Sequence, residues 1–135
     1  MTEISSLPNV TARSQEPIDL APHNIEAEQA LLGALLINNE PDYLNIEGQW
    51  LTNNDFVVFH RLAISEKFLN KGLAKKMVSF IEQFAISKNI FSVKADTNHD
   101  NTPMLKLFKS LNYSLCGTVY IRKSPRKAFE KVLKN

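Results

Sequence analysis

The residues best suited to chemistry in this chain of 135 residues lie around a short loop that precedes a helix. Residues 60–82 are typical of a strand, a loop that ends at Gly72, and a helix after it. The first turn of a helix has unpaired backbone N–H groups and the positive end of the helix dipole, which together favour a phosphate. Gly72 lacks a Cβ and either lets a diphosphate approach the backbone or simply eases the turn. Positive charge at this end comes from Lys71, Lys75 and Lys76.

The elements around the loop form a predicted βαβ unit. Residues 55–65 alternate in polarity as a strand does, residues 73–84 space their apolar side chains as a helix does, and residues 91–96 suggest a short strand. Two strands joined by such a helix are normally parallel. The predicted common face of the first strand consists of Phe56, Val58, His60, Leu62 and Ile64.

Downstream patterns complete the predicted sheet. Asn101 or Thr102 can cap a second helix that has Pro103 in its first turn. Residues 113–121 and 126–133 are predicted to be strands, and Asn112 occupies a turn position suited to a left-handed backbone. The expected fold class is α+β or α/β, with a mixed sheet and flanking helices.

The N-terminal segment has a different character. Residues 1–21 are polar and without periodicity, so we expect a disordered leader there. Residues 22–40 predict one N-terminal helix that begins after Asn24 and ends near Ile37, with apolar residues on almost every side.

Composition narrows the class of protein. The single cysteine, Cys116, excludes an internal disulfide and is expected to pack as a small apolar residue. No apolar run approaches the roughly 20 residues of a membrane span, and the first residues do not resemble a signal peptide, so a cytoplasmic location is expected. Residues 1–59 have a net charge of −8 and residues 60–135 one of +10, which is the only feature that favours nucleic-acid binding.

Four segments together resemble the GNAT acyltransferase superfamily, and specifically its small N-acetyltransferases: HRLAIS, FLNKGLA, ADTNHDN and MLKLFKSLNY. The resemblance implies that the family's fourth strand pairs with the pantetheine arm of acetyl-CoA, and that residues 69–74 hold its pyrophosphate. Leu69 departs from the family's Gln or Arg at the first position of that loop. The residues implied to bind acetyl-CoA are Leu62, Ile64, Leu69, Asn70, Lys71, Gly72, Leu73, Ala74, Lys75 and Asn101.

The resemblance also implies direct attack of a substrate amine on the acetyl thioester, with little covalent help from the protein. Phe108 stands where many relatives have a tyrosine that donates a proton, so water or Tyr113 would have to replace it. The candidates for the base are His60, Glu66, Asp96 and His99, and His60 among them is expected to be a packed residue of a strand rather than a catalyst. The sequence assigns neither the general base nor the general acid, and it does not identify the acceptor amine.

Residues 1–40 resemble instead the start of the N-terminal domain of DnaB-type replicative DNA helicases. The predicted organisation is therefore a leader at 1–21, a helicase-like helix at 22–40 and a truncated GNAT domain at 41–135 that lacks the family's first strands and helices. The alternative function is a non-enzymatic fusion fragment that contacts a replication protein through residues 22–40. An exposed sheet edge would also permit self-association.

Overall fold

The computed structural model describes residues 30–64 and 72–134, which form a mixed α+β fold on one six-stranded sheet. The elements along the chain are β1 (Ala30–Ile37), a 3-10 helix (Pro41–Asn45), β2 (Glu47–Gly48), β3 (Val57–Ile64), α1 (Leu73–Ser87), β4 (Ser92–Thr97), α2 (Thr102–Ser110), β5 (Ser114–Ile121) and β6 (Ser124–Val132). The order of strands across the sheet is β1-β3-β4-β6-β5-β2.

Strands β3 and β4 are parallel and are joined through α1, which confirms the predicted βαβ unit. The other neighbours in the sheet, β1 with β3, β4 with β6, β5 with β6 and β2 with β5, are antiparallel. The predicted mixed sheet with flanking helices is confirmed over the described residues, and so are the two closing strands.

Both helices pack on one face of the sheet. Met77 and Ile81 of α1 and Phe108 of α2 are fully buried there, in a cluster that includes Phe59 of β3 and Phe129 of β6. Burial of a side chain of this size contributes about 1.5–3 kcal/mol, so this cluster is the main source of stability. The opposite face has a smaller cluster of Tyr43, Val58, Val119 and Ala128.

The turns on either side of α2 have the conformations that the sequence predicts. The side chain of Asn101 caps the helix by accepting a hydrogen bond of 3.3 Å from the backbone N–H of Met104. Asn112, after the helix, has a φ of 67°, which confirms the left-handed turn predicted at this asparagine. Neither helix of the described residues has the length and apolar character that a membrane crossing requires.

The helix predicted to end near Ile37 is wrong over residues 30–37, which form β1. The apolar run that suggested a helix without a polar face belongs to a strand covered on both faces. Leu32 and Leu35 are buried in the cluster beneath the helices, while Leu36 packs against the cluster on the opposite face. Pairing with β3 outweighs the helix propensity of alanine and leucine. Residues 22–29 and the predicted leader lie outside the described residues.

Candidate functional site

A gap opens between β3 and β4. In the described residues these parallel strands pair only at Val57 with Val93 and at Val58 with Lys94. Beyond Val58, β3 continues to Ile64 with β1 as its partner on the other side. The backbone N–H and C=O groups of this part of β3 that face the gap therefore have no partner strand, and an extended ligand can pair with them.

An irregularity in β3 lies beside the gap. Arg61 has a φ of 58°, and the β1–β3 ladder omits the pair that Gly33 and Arg61 would form. A Cβ on Gly33 would lie 2.6 Å from the Cβ of Arg61, so only glycine fits opposite this turn of the chain. Such an interruption bends a strand and changes its twist.

The same irregularity corrects the predicted common face of β3. Phe56 and Val58 pack in the cluster on the face opposite the helices, but Leu62 packs beneath the helices. The alternation of side chains reverses at Arg61, because a left-handed residue breaks the two-residue repeat of a strand. Leu62 therefore does not share a face with Val58 as predicted.

Helix α1 begins at the end of the loop that follows β3. Gly72 precedes its first turn with a φ of 75°, and a Cβ built there would meet no atom of the described residues within 4 Å. In the part of the chain that the structure describes, no side chain caps the first turn, so its N–H groups can bind an anion. Lys75 and Lys76 are exposed in this turn, Ala74 is half-buried and Leu73 belongs to the core.

A cavity of about 530 Å³ lies on the face of the sheet opposite the helices, and charged side chains meet in it. Nε2 of His60 lies 2.8 Å from Oε1 of Glu40, and Nδ1 of His60 lies 3.9 Å from Oδ2 of Asp96. Nε of Arg126 donates to Oδ1 of Asp96 at 2.7 Å, and the Tyr43 hydroxyl donates to Oδ2 at 2.6 Å. The two carboxylates thus flank the imidazole, with His60 on β3 and Asp96 on β4.

These contacts shift two pKa values. The hydrogen bond from His60 lowers the pKa of Glu40 below its ordinary value, and partial burial opposes that change. Burial raises the pKa of Tyr43, and the Asp96 carboxylate raises it further. Glu40 therefore stays ionised and Tyr43 stays a hydrogen-bond donor over the usual range of pH.

The structure brings together only some of the residues predicted for catalysis. Asp96 lies in the cavity, whereas His99 is exposed in the turn after β4 and Glu66 lies outside the described residues. The hydroxyl of Tyr113 donates to Oε2 of Glu82 at 2.9 Å and does not line this cavity. Burial and the Glu82 carboxylate hold the pKa of Tyr113 well above its ordinary value.

The described residues among those predicted for cofactor binding lie along the gap or at helix starts. Leu62 and Ile64 are in the part of β3 that faces the gap, Gly72 precedes α1, and Asn101 caps α2. Leu69, Asn70 and Lys71 lie outside the described residues.

Sequence reasoning did not single out Glu40, Tyr43 or Arg126, and it weighed His60 chiefly as a packing residue. Tertiary structure brings these four side chains together from β3, β6 and the segment after β1. The signal in the sequence was a polar residue at every second position of otherwise apolar strands, as at Lys94 and Asp96.

Known proteins agree with this architecture. The Acetyltransferase (GNAT) family model matches residues 6–113, more than half of the chain, so the chain belongs to the GNAT acetyltransferase family. A streptothricin acetyltransferase of Escherichia coli is 21% identical over 92 residues, which cover 68% of this chain and 51% of that protein. The chain therefore spans about half the length of this curated relative.

Two solved structures show the same fold. A GNAT-family acetyltransferase of Streptococcus agalactiae is 28% identical with a TM-score of 0.70, over 79% of this chain and 60% of that one. Arabidopsis thaliana NAA60 in complex with acetyl-CoA is 13% identical with a TM-score of 0.59, over 77% of this chain and 65% of that one.

The family match begins upstream of the boundary predicted near residue 40, and it includes β1. β1 is moreover a strand of the same sheet as β3. The resemblance of residues 1–40 to the helicase domain stays a prediction, and residues 1–29 lie outside the described residues.

Proposed function

We propose that the protein is an N-acetyltransferase that transfers the acetyl group of acetyl-CoA to a substrate amine by direct attack. The observation that carries this proposal is the gap between β3 and β4, which leaves the second half of β3 without a partner strand on that side among the described residues. The amides of pantetheine can pair with such a backbone as a further strand would. The family of the chain and the acetyl-CoA in the NAA60 complex support the same ligand.

The start of α1 fits the diphosphate of this cosubstrate. Within residues 30–64 and 72–134, no atom would contact a Cβ at Gly72, and the N–H groups of the first turn have no side-chain cap. Lys75 and Lys76 add positive charge beside them. The loop residues Leu69, Asn70 and Lys71 belong to the same proposed site, with main-chain N–H groups as the donors.

The acceptor amine enters from the cavity on the opposite face. The carboxylates of Glu40 and Asp96 attract a cationic amine. They lie on either side of His60, which belongs to the part of β3 that borders the gap. The amine must lose a proton before or during attack, and His60, held by Glu40, is placed to accept it. Most of the rate then comes from holding the amine and the thioester together.

The bonds that change are few. The amine nitrogen forms a bond to the acetyl carbon, the carbon–sulfur bond breaks, and the thiolate of CoA takes up a proton. Phe108 cannot supply that proton, because it is a fully buried hydrocarbon ring stacked 4.5 Å from Phe129. Solvent is therefore the proposed proton source.

Calorimetric titration of acetyl-CoA tests the proposal. The parent should bind, and Gly72→Asp should bind at least about tenfold more weakly, because a carboxylate would repel the diphosphate. Gly72→Asn is the matched control, since asparagine has the same shape and tolerates a positive φ but has no charge. Folded parent protein that does not bind acetyl-CoA would contradict the proposed function, and equal weakening by both variants would remove Gly72 from the proposed phosphate site.

A further inference from the structure

A second cavity, of about 600 Å³, lies beside the first on the same face of the sheet. Glu40 lines both cavities. The aromatic side chains of Tyr43, Trp50 and Phe56 form walls of the second cavity, and Lys94 reaches it from β4. The two adjoining cavities can therefore hold one ligand that has a polar group at each end.

Lys94 is a buried cation without an anionic partner in contact. It is 4% exposed, and its Nζ lies 4.4 Å from the centroid of the Trp50 ring and 4.2 Å from that of Phe56. Among the described residues, Nζ has no hydrogen-bond or ion-pair partner, and ring faces do not replace one. Burial lowers the pKa of Lys94, which reflects the cost of this arrangement.

The nearest buried anion does not supply the missing contact. Glu130 pairs with Lys94 across β4 and β6, but its carboxylate is occupied by other donors. It accepts hydrogen bonds from the backbone N–H of Leu51 at 2.7 Å, the hydroxyl of Thr52 at 2.6 Å and that of Ser92 at 2.7 Å. The N–H donors of Lys94 are thus available to a ligand in the cavity.

The position of Lys94 relates it to the proposed acceptor site. It is the last residue of β4 that pairs with β3 before the gap opens. Asp96 lies two residues further along β4 and on the same face, about 7 Å away at the strand repeat. Glu40 and Asp96 lie in the first cavity, where Arg126 already pairs with Asp96, and the buried cation of Lys94 lies at the second cavity. An amine beside Glu40 and a carboxylate beside Lys94, in one small molecule, would complement these charges.

We propose that Lys94 binds a carboxylate of the acceptor, so that the acceptor is an amine that also carries a carboxylate, as an amino acid does. This inference rests on the proposed acetyl transfer. The amine lies at Glu40 and Asp96, and the carboxylate lies between the rings at Lys94. The acetylated product keeps the carboxylate and therefore keeps this contact.

Product analogues test the inference independently of activity. Trp50 is the only tryptophan of the chain and lines the cavity, so its fluorescence reports a ligand there. The probes are N-acetylated amino acids with small, branched apolar and basic side chains, each compared with its carboxamide. At least one carboxylate should bind tenfold or more tightly than its amide. Lys94→Met should abolish this preference, and Lys109→Met, at an exposed lysine of α2, should retain it.

Two outcomes overturn the inference: carboxylates that bind no better than amides, and a preference that survives in Lys94→Met. The inference would also be overturned if none of the probes showed saturable binding to the parent. The comparison within the parent by itself decides whether the cavity prefers a carboxylate, and the folded Lys94→Met variant assigns that preference to Lys94. Acetyl-CoA titration separates the two proposals. Binding of acetyl-CoA without a carboxylate preference leaves the acetyltransferase intact and overturns only the inference about Lys94. A carboxylate preference without binding of acetyl-CoA removes the acetyltransferase and leaves a carboxylate site whose ligand is not an acetyl acceptor.

Discussion

At the scale of single residues, the environment of His60 depends on residues that are distant from it in the sequence. On an alternating strand it was expected to pack in the core, and Val58 two residues before it does so. His60 instead lies between Glu40 and Asp96 in a cavity. Neither carboxylate is adjacent in the sequence, so the residue types alone predicted a different environment.

The Glu40 contact has a consequence for acid stability. Because its folded pKa is lowered below 4.5, Glu40 stabilises the protein above the unfolded pKa and loses that contribution as pH falls through the folded pKa. Glu40→Gln should lower the free energy of unfolding by roughly 1–2 kcal/mol near neutral pH. The difference from the parent should shrink below about pH 4.5. Urea unfolding between about pH 3 and pH 7 measures it.

His60→Gln is the matched control, because it removes the other partner of the same bond. His60→Gln should reduce the pH dependence of the free energy of unfolding by a similar amount. Parent-like acid dependence in both variants would show that this bond contributes nothing to stability.

At the scale of elements, β3 determines the site. Its first two residues join it to β4, its whole length pairs with β1 except at Arg61, and its second half borders the gap. The lack of a side chain at Gly33 leaves room for the irregular backbone and the side chain of Arg61. One glycine on a neighbouring strand thus affects the strand on which a cosubstrate would bind.

Gly33→Ala tests this coupling. The added Cβ would lie 2.6 Å from Cβ and 2.9 Å from Cδ of Arg61, so β1 and β3 must shift. We expect a loss of about 1–3 kcal/mol in the free energy of unfolding, and weaker binding of acetyl-CoA. Chemical denaturation and calorimetry measure the two effects.

The control is the same substitution in an Arg61→Gly background. There the side chain that clashes is absent, and glycine accepts the positive φ. The cost of Gly33→Ala should fall by more than half in this background, and an unchanged cost would refute the clash as its cause.

At the scale of the molecule, the sheet separates the main apolar core from the two cavities. The helices and the large apolar cluster lie on one face, and both cavities lie on the other. Glu130 links the second face together: it is wholly buried in β6 and binds Ser92 of β4 and the segment at 51–52. This carboxylate keeps the Trp50 region against the sheet beside Lys94.

Glu130→Gln should therefore destabilise the whole fold. One acceptor oxygen becomes an NH₂ donor that faces other donors, which costs about 2–4 kcal/mol for a buried charged acceptor. Urea unfolding followed by Trp50 fluorescence measures the loss. Glu47→Gln is the control: Glu47 is exposed and bonds only to the exposed Tyr120 among the described residues, so a loss of less than about 0.5 kcal/mol is expected. Equal losses would contradict the assigned role of Glu130.

Local patterns in the sequence determined the βαβ unit, both helices of the described residues, the caps at Asn101 and Asn112, and the open start of α1. These features depend on spacing and on backbone preferences that act over a few residues.

Tertiary structure alone decided that residues 30–37 are a strand, that the alternation of β3 reverses at Arg61, and that Glu40, His60, Asp96 and Arg126 meet. Each of these depends on a partner far away in the chain. An apolar run fits a helix or a doubly covered strand equally well until its neighbour is known. A charged side chain on a strand likewise gains a defined role only when another strand places the opposite charge beside it.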